Sequence, residues 1–279
     1  MNKVENNKKN LTMDEIKHQL FLMLVKIDQI CKTNNIQYSL SYGTMLGAVR
    51  HKGFIPWDDD LDILMTRDNY DRFLSLDKEK LMGFDLLTDK DPKYNLLFAK
   101  VLNPNIEIKC EHEDRYDKEQ KLFIDIFPID YLSDTEEEGI KIVKKSNFSL
   151  CLLIAAQWKH FYVNNRHKFL RQIPRFIFFL MSRFVSSKKL IKKLNKNIKH
   201  EKKKYCYCIA LNRAKIEIFP SELYEEYIEI EFEGKMFSCI KNYDQCLKII
   251  YGDYMKLPPE NKRVYPHSYD AFFINECQK

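Results

Sequence analysis

Residues 43–64 read GTMLGAVRHKGFIPWDDDLDIL. This short span joins a glycine turn, the basic triplet Arg50-His51-Lys52 and four aspartates, Asp58, Asp59, Asp60 and Asp62. The acids run directly into an apolar, strand-like segment, 61–65. Carboxylates crowded at the mouth of a strand repel one another unless a cation neutralises them. Strand side chains alternate, so Asp60 and Asp62 are expected on one face and Asp59 is expected to point elsewhere. Asp58 joins the pair if the chain is already extended there. Two carboxylates on one face suit Mg²⁺ or Mn²⁺, which take oxygen ligands. On the other side of the motif, a turn at 41–44 opens a short helix, 45–50. A helix starting at a glycine turn points backbone N–H groups outward, an arrangement suited to a phosphate. Gly47 permits the close approach of another backbone or a ligand.

A third carboxylate stands sixty residues later, in the run LFIDIF at 122–127. Asp125 alone in an apolar strand is costly unless paired or metal-bound, and Pro128 is expected to stop that strand. If the two strands are neighbours, Asp125 completes a triad with Asp60 and Asp62. A solvated acidic turn and a hydrogen-bonded structural aspartate are the competing readings.

Working outward, Thr12-x-x-Glu15 is a capping box that opens a helix to about Thr33. Its apolar stripe is Ile16, Leu20, Leu24, Ile27 and Cys31. Strands are expected at 36–40, 84–88, 95–103 and 106–110, a helix at 67–76 and a charged loop at 111–121. From 134 to 204 the pattern turns helical. Strand-like text returns at 205–219, followed by a hairpin over 227–240 and a last helix at 242–251. The fold class is therefore mixed α/β (α+β), a sheet core flanked by helices. The expected divisions are a disordered terminus (1–11), a catalytic core (12–133), a basic helical insertion (134–204) and closing strands, hairpin and helix (205–279).

The net charge of +6 is uneven. Residues 159–204 hold fifteen Lys or Arg against one acid, Glu201, leaving −8 for the remainder. A solvated helical face is one reading of this block. The other is an interfacial surface over 166–204 that rests on anionic lipid. No nucleic-acid partner is expected. Eight scattered cysteines fit free buried thiols in a reducing compartment better than a zinc site. The polar N-terminus does not read as a signal peptide, and no apolar run reaches the length of a spanning helix.

The stretch SYGTMLGAVRHKGFIPWDDDLDILM, residues 41–65, resembles the signature of the LicD family of phosphotransferases, which includes fukutin and its related protein. FEGKMFSCIKNYDQCLKIIYGDYMKLPPENKR, residues 232–263, is similar to the family's end segment. The resemblance covers about 12–128 and 225–267. It implies a nucleotidyltransferase-like core with Mg²⁺ or Mn²⁺ as cofactor. Asp58, Asp60, Asp62 and Asp125 would be the metal ligands, and Asp125 also a candidate general base. Gly43 and Thr44 would seat a phosphate, with Arg50, His51 and Lys100 stabilising charge. The implied reaction moves phosphocholine from CDP-choline to a cell-surface glycan such as lipooligosaccharide, teichoic acid or capsule. The implied location is cytoplasmic, peripheral at the inner face of the membrane. Transfer of another phospho-alcohol (ethanolamine, glycerol or ribitol phosphate), transfer of the nucleotide itself and a non-catalytic membrane scaffold are the alternatives. His51 as a surface residue, Lys100 as a strand cap and Trp57 as a packed anchor for the acidic loop are the structural readings of those residues; the functional reading of Trp57 is part of an aromatic cage for the choline ammonium. Arg263 and His267 either reach the site or pin the tail.

Overall fold

A computed structural model describes residues 10–91, 94–110, 121–158, 160–161, 163, 170, 172–198, 200–208, 217–265 and 269–274. The chain opens on α1 (Met13–Thr33), whose capping box is complete: Glu15 N–H donates to Thr12 Oγ1 and Thr12 N–H to Glu15 Oε2. All five stripe residues are buried, with Met23 and Ile30 beside them. α1 packs against β5 (Lys121–Ser133), the strand at the centre of the fold. Leu11 N–H donates to Ala271 O at 2.7 Å, so the described chain is already held to the sheet before α1 begins.

The sheet runs β1 (Ser39–Leu40), β2 (Asp62–Thr66), β5, β4 (Ala99–Cys110), β10 (Tyr269–Phe273). β3 (Asp85–Leu87) pairs with β4, while β6 (Tyr205–Tyr207) links β5 to β7 (Ile218–Pro220). The β2–β5 pair is parallel and the other described pairs are antiparallel. Ile63, Leu64 and Met65 are all buried, because the middle of β2 is covered on both faces.

Several expectations change here. β4 is one strand with an irregularity between Asn103 and Glu107, where two strands were expected; residues 95–98 lie outside it. Pro128 does not stop β5. The Asp125 N–H donates to Leu61 O on the β2 side, so by alternation the Pro128 nitrogen faces the opposite edge. On that edge the β4 pairing ends at Ile126 and the β6 pairing begins at Asp130. Pro128 sits in the gap, where a missing N–H leaves no bond unmade. The expected loop at 111–121 falls outside the described residues except for Lys121, which begins β5; residues 1–9 of the expected disordered terminus lie outside as well.

α2 (Tyr42–His51) follows β1, and α3 (Arg67–Leu74) follows β2 without a break. The Arg67 guanidinium grips fully buried Asp130 of β5 with two bonds, at 2.6 and 2.9 Å, fixing α3 to the sheet. α4 (Glu136–Ala155) packs on β5, and α5 (Gln172–Ser182) and α6 (Ser187–Asn195) pack on α4. The expected hairpin is β8 (Tyr227–Phe232) with β9 (Lys235–Ile240), and β9 lies against β1. α7 (Tyr243–Tyr251) ends at Gly252, whose φ of 70° needs the left-handed freedom of glycine. Of the described cysteines, Cys31, Cys206, Cys208, Cys239 and Cys246 are buried thiols outside any disulfide, and Cys151 is a half-buried one.

Candidate active site

The helix opens three residues earlier than the sequence suggests. Ser41 is its N-cap, so Gly43 and Thr44 lie within the first turn and not in a turn before it. The first intrahelical bond runs from Met45 N–H to Ser41 O, so the amides of Tyr42, Gly43 and Thr44 precede the ladder. The buried Ser41 hydroxyl makes no hydrogen bond. Tyr42 holds a left-handed φ of 42°, a strain of about 1–3 kcal/mol, and its ring meets Phe127 edge-on at 5.5 Å.

This first turn is bonded to the start of β2. Asp62 N–H donates to the Thr44 hydroxyl at 2.7 Å, and Ser41 N–H donates to Asp62 O at 3.1 Å. Thr44 is buried, and its side chain holds the strand. The acidic loop lies against the same turn: a Cβ on Gly43 would come 2.6 Å from Asp58 Oδ2. Three more anchors fix the loop. Lys17 donates to Pro56 O at 3.0 Å, Phe54 N–H donates to Glu233 Oε1 at 3.0 Å, and Glu233 N–H donates to Lys52 O at 2.8 Å.

The carboxylate oxygens of Asp58, Asp59 and Asp60 lie within 4.8 Å of one another. Asp58, Asp60 and Asp62 line the cleft, whereas Asp59 is buried and lies outside the lining. β2 begins at Asp62, so the alternation of an extended strand does not govern 58–60. Asp62 and Asp125 are Cα partners across the parallel pair, so the two strands do bring these acids together. Burial, then Asp60, Asp125 and Asp58, hold the Asp62 carboxyl well above the usual carboxylate range, against the opposing effect of Lys100. Burial and then Asp60 push Asp58 up to about 7. Negative charge is thus in excess, and a donor set made wholly of carboxylate oxygens fits a hard divalent cation.

Lys100 faces Asp125 across β4–β5, with its Nζ 2.6 Å from Asp125 Oδ1 and 3.3 Å from the Phe123 ring centroid. It therefore reaches the site through Asp125. Arg50 lines the cleft itself; its Nη1 donates to Tyr254 O and its Nε to His51 Nε2, each at 2.9 Å. His51 meets the site through that guanidinium. Burial, then Arg50, push its pKa down, in keeping with a neutral imidazole that accepts. Trp57 lines the cleft, meets His51 edge-on and has the Arg263 guanidinium 5.4 Å from its ring centroid. His267 lies outside the described residues.

The cleft has a volume of about 490 Å³. Its second wall comes from the end of the chain: Tyr251, Asp253, Tyr254, Lys256 and Pro258. The sequence reading assigned these residues no role. Their segment carried a family resemblance, but nothing local placed it over the aspartates. Acids from two adjoining strands are thus set under a helix N-terminus and face a wall of mixed charge that carries both Lys256 and Asp253.

A family model described as LicD/FKTN/FKRP, nucleotidyltransferase domain, matches residues 35–151. The lipopolysaccharide cholinephosphotransferase LicD of Haemophilus influenzae is 30% identical over 284 aligned positions, covering 95% of this chain and 100% of the relative. Uncharacterized proteins of Rickettsia typhi and Rickettsia prowazekii are similar over shorter stretches. The first is 30% identical over 47% of this chain and 40% of its own length, the second 29% over 45% and 46%. The chain belongs to the LicD family. Among the described residues, no helix is long and apolar enough to cross a membrane.

Proposed function

We propose that this enzyme transfers phosphocholine from CDP-choline to a hydroxyl of a cell-surface glycan, with lipopolysaccharide as the first acceptor to test. The observation that carries the reading is the similarity, along nearly the whole chain, to a lipopolysaccharide cholinephosphotransferase. The cleft agrees with it: carboxylates for a divalent cation stand beside Arg50 and Lys256, cations suited to a phosphate-bearing donor.

The acceptor oxygen attacks the phosphorus that carries choline. The bond from that phosphorus to the CMP phosphate oxygen breaks, CMP leaves, and the hydroxyl proton passes to a carboxylate, with Asp125 the candidate base. Asp58, Asp60, Asp62 and Asp125 would hold Mg²⁺ or Mn²⁺, which would supply charge neutralisation on the diphosphate. The amides of Gly43 and Thr44 receive a phosphate oxygen. Arg50 stabilises the leaving phosphate, His51 orients Arg50, and Lys100 fixes Asp125. In this reading 12–133 form a nucleotidyltransferase-like core, 134–204 an insertion, and 205–279 complete the domain on the cytoplasmic side.

The test is to incubate the enzyme with Mg²⁺, CDP-choline and lipooligosaccharide. CMP release matched by choline on the glycan, lost in an Asp60→Asn, Asp62→Asn double variant, is the expected result. Nucleotide on the acceptor with free phosphocholine would overturn the reading, as would equal use of CDP-ethanolamine.

A further inference from the structure

We propose that the outer face of α5 is a docking surface for an anionic lipid bilayer. The helix is apolar on its outer face as well as its inner one. Its buried residues are Gln172 and Ser182, whereas Ile173, Phe176, Ile177, Leu180 and Met181 are exposed. Phe184, one turn on, is 91% exposed. The spacing, three and four residues apart, puts these side chains on one stripe.

The cations turn the other way. Arg175 Nη1 donates to Gln172 Oε1 at 2.6 Å, and its guanidinium stacks 4.9 Å from the Trp158 ring centroid. Arg183 Nη2 donates to Trp158 O at 2.6 Å and Ala155 O at 3.1 Å, at the end of α4. A helix on a water-facing surface hides its apolar stripe. This one packs Phe178 against Phe148 and the core and still leaves a second apolar stripe outward, the mark of a surface with an apolar partner.

The charge that surrounds the stripe in sequence selects the partner. Residues 166–200 hold eleven Lys or Arg and no Asp or Glu. Of these, Lys188, Lys189, Lys192 and Lys193 are exposed on α6 and Lys196 at its C-cap, while the helix's own apolar residues Leu190, Ile191 and Leu194 are buried. A second copy of the chain would bring the same uncompensated positive charge up against this one. An anionic bilayer offers both complements, acyl chains for the stripe and headgroups for the lysines. At eleven residues α5 is about 16 Å long, so it lies in the interface and does not span.

Vesicle flotation of the full chain tests this without any substrate, so its outcome is independent of the transfer reaction. Binding to vesicles of equal parts phosphatidylcholine and phosphatidylglycerol is expected, with little binding to phosphatidylcholine alone. Lys188→Gln, Lys189→Gln and Lys192→Gln together are expected to weaken binding on the order of a hundredfold. Phe176→Ser with Ile177→Ser is expected to weaken it at least tenfold with an unchanged circular dichroism spectrum, since both residues are exposed. In Phe184→Trp, quenching of the added tryptophan by brominated lipid reports insertion directly. No binding to anionic vesicles, equal binding to both compositions, or a dimer in solution that the Phe176→Ser, Ile177→Ser variant dissolves would each overturn the proposal.

Discussion

Lys100 Nζ stands 2.6 Å from Asp125 Oδ1, and the two residues face each other across the antiparallel β4–β5 pair. Their side chains are 8% and 15% exposed, so the pair is withdrawn from water. Asp125 also adjoins Asp62, and one cation thus tempers two strands' worth of acid. Removing one partner of a buried pair leaves the other uncompensated, at a cost of about 3–5 kcal/mol. Lys100→Met is expected to lower the urea midpoint accordingly. The Lys100→Met, Asp125→Asn double variant should recover part of the loss, and a double-mutant cycle that showed simple additivity would contradict the coupling.

Asp58 yields a pH prediction of definite sign. Its carboxyl pKa rises from 3.8 to about 7 on folding, so between those values the folded state holds a proton that the unfolded chain releases. Stability therefore falls as pH rises from about 4 to about 7. Without divalent cation, the melting temperature is expected to decline over that window, and Asp58→Asn should flatten the decline. Mg²⁺ competes with the proton for the same oxygens. It is expected to raise the melting temperature at about pH 8 and to have little effect at about pH 5. An equal Mg²⁺ effect at both would count against this cluster as the cation site.

These two predictions mark what was legible in the chain and what was not. Asp62 and Asp125 stand out because each is a carboxylate set where a strand is apolar, a conflict visible in one dimension, and Asp60 because it crowds Asp62 at the mouth of that strand. The capping box of α1 and the β8–β9 hairpin are equally local, and both formed as read. Pro128 was misread because the vacancy it occupies is created by β4 and β6, not by its neighbours in sequence. The cleft's second wall was hidden for the same reason: Arg50 meets Tyr254 across 204 positions.

Two glycines in α2 separate packing from chemistry. A Cβ at Gly47 would overlap the carbonyl oxygen of Gly53, a backbone atom with nowhere to go. Gly47→Ala is expected to destabilise by roughly 1–3 kcal/mol, as overpacking does. A Cβ at Gly43 would instead meet Asp58 Oδ2, the tip of a side chain that can rotate away. Alanine also favours the helix. Gly43→Ala should therefore melt within about 1 kcal/mol of wild type. Transfer should fall roughly tenfold to a hundredfold, because a carboxylate has moved. Comparable activity loss without displacement of Asp58 in a crystal structure of the variant would contradict this account.

Glu233 tests whether the aspartates depend on a residue that never touches them. It lies at the hairpin tip with a left-handed φ of 49°, and it clasps the 52–54 loop from both ends of its own chemistry. Its N–H donates to Lys52 O, while its carboxylate accepts from Phe54 N–H. The loop so held leads within a few residues to Asp58. Glu233→Ala keeps the backbone bond and removes the carboxylate, leaving Phe54 N–H without that acceptor, at about 1–2 kcal/mol. Glu233→Gln keeps an acceptor oxygen of the same reach and should retain most of the stability. If the clasp positions the acids, Glu233→Ala weakens Mg²⁺ binding, measured by calorimetry on the apo-protein, while Glu233→Gln restores it. A purely structural role would lower the melting temperature and leave the cation affinity of the folded protein unchanged.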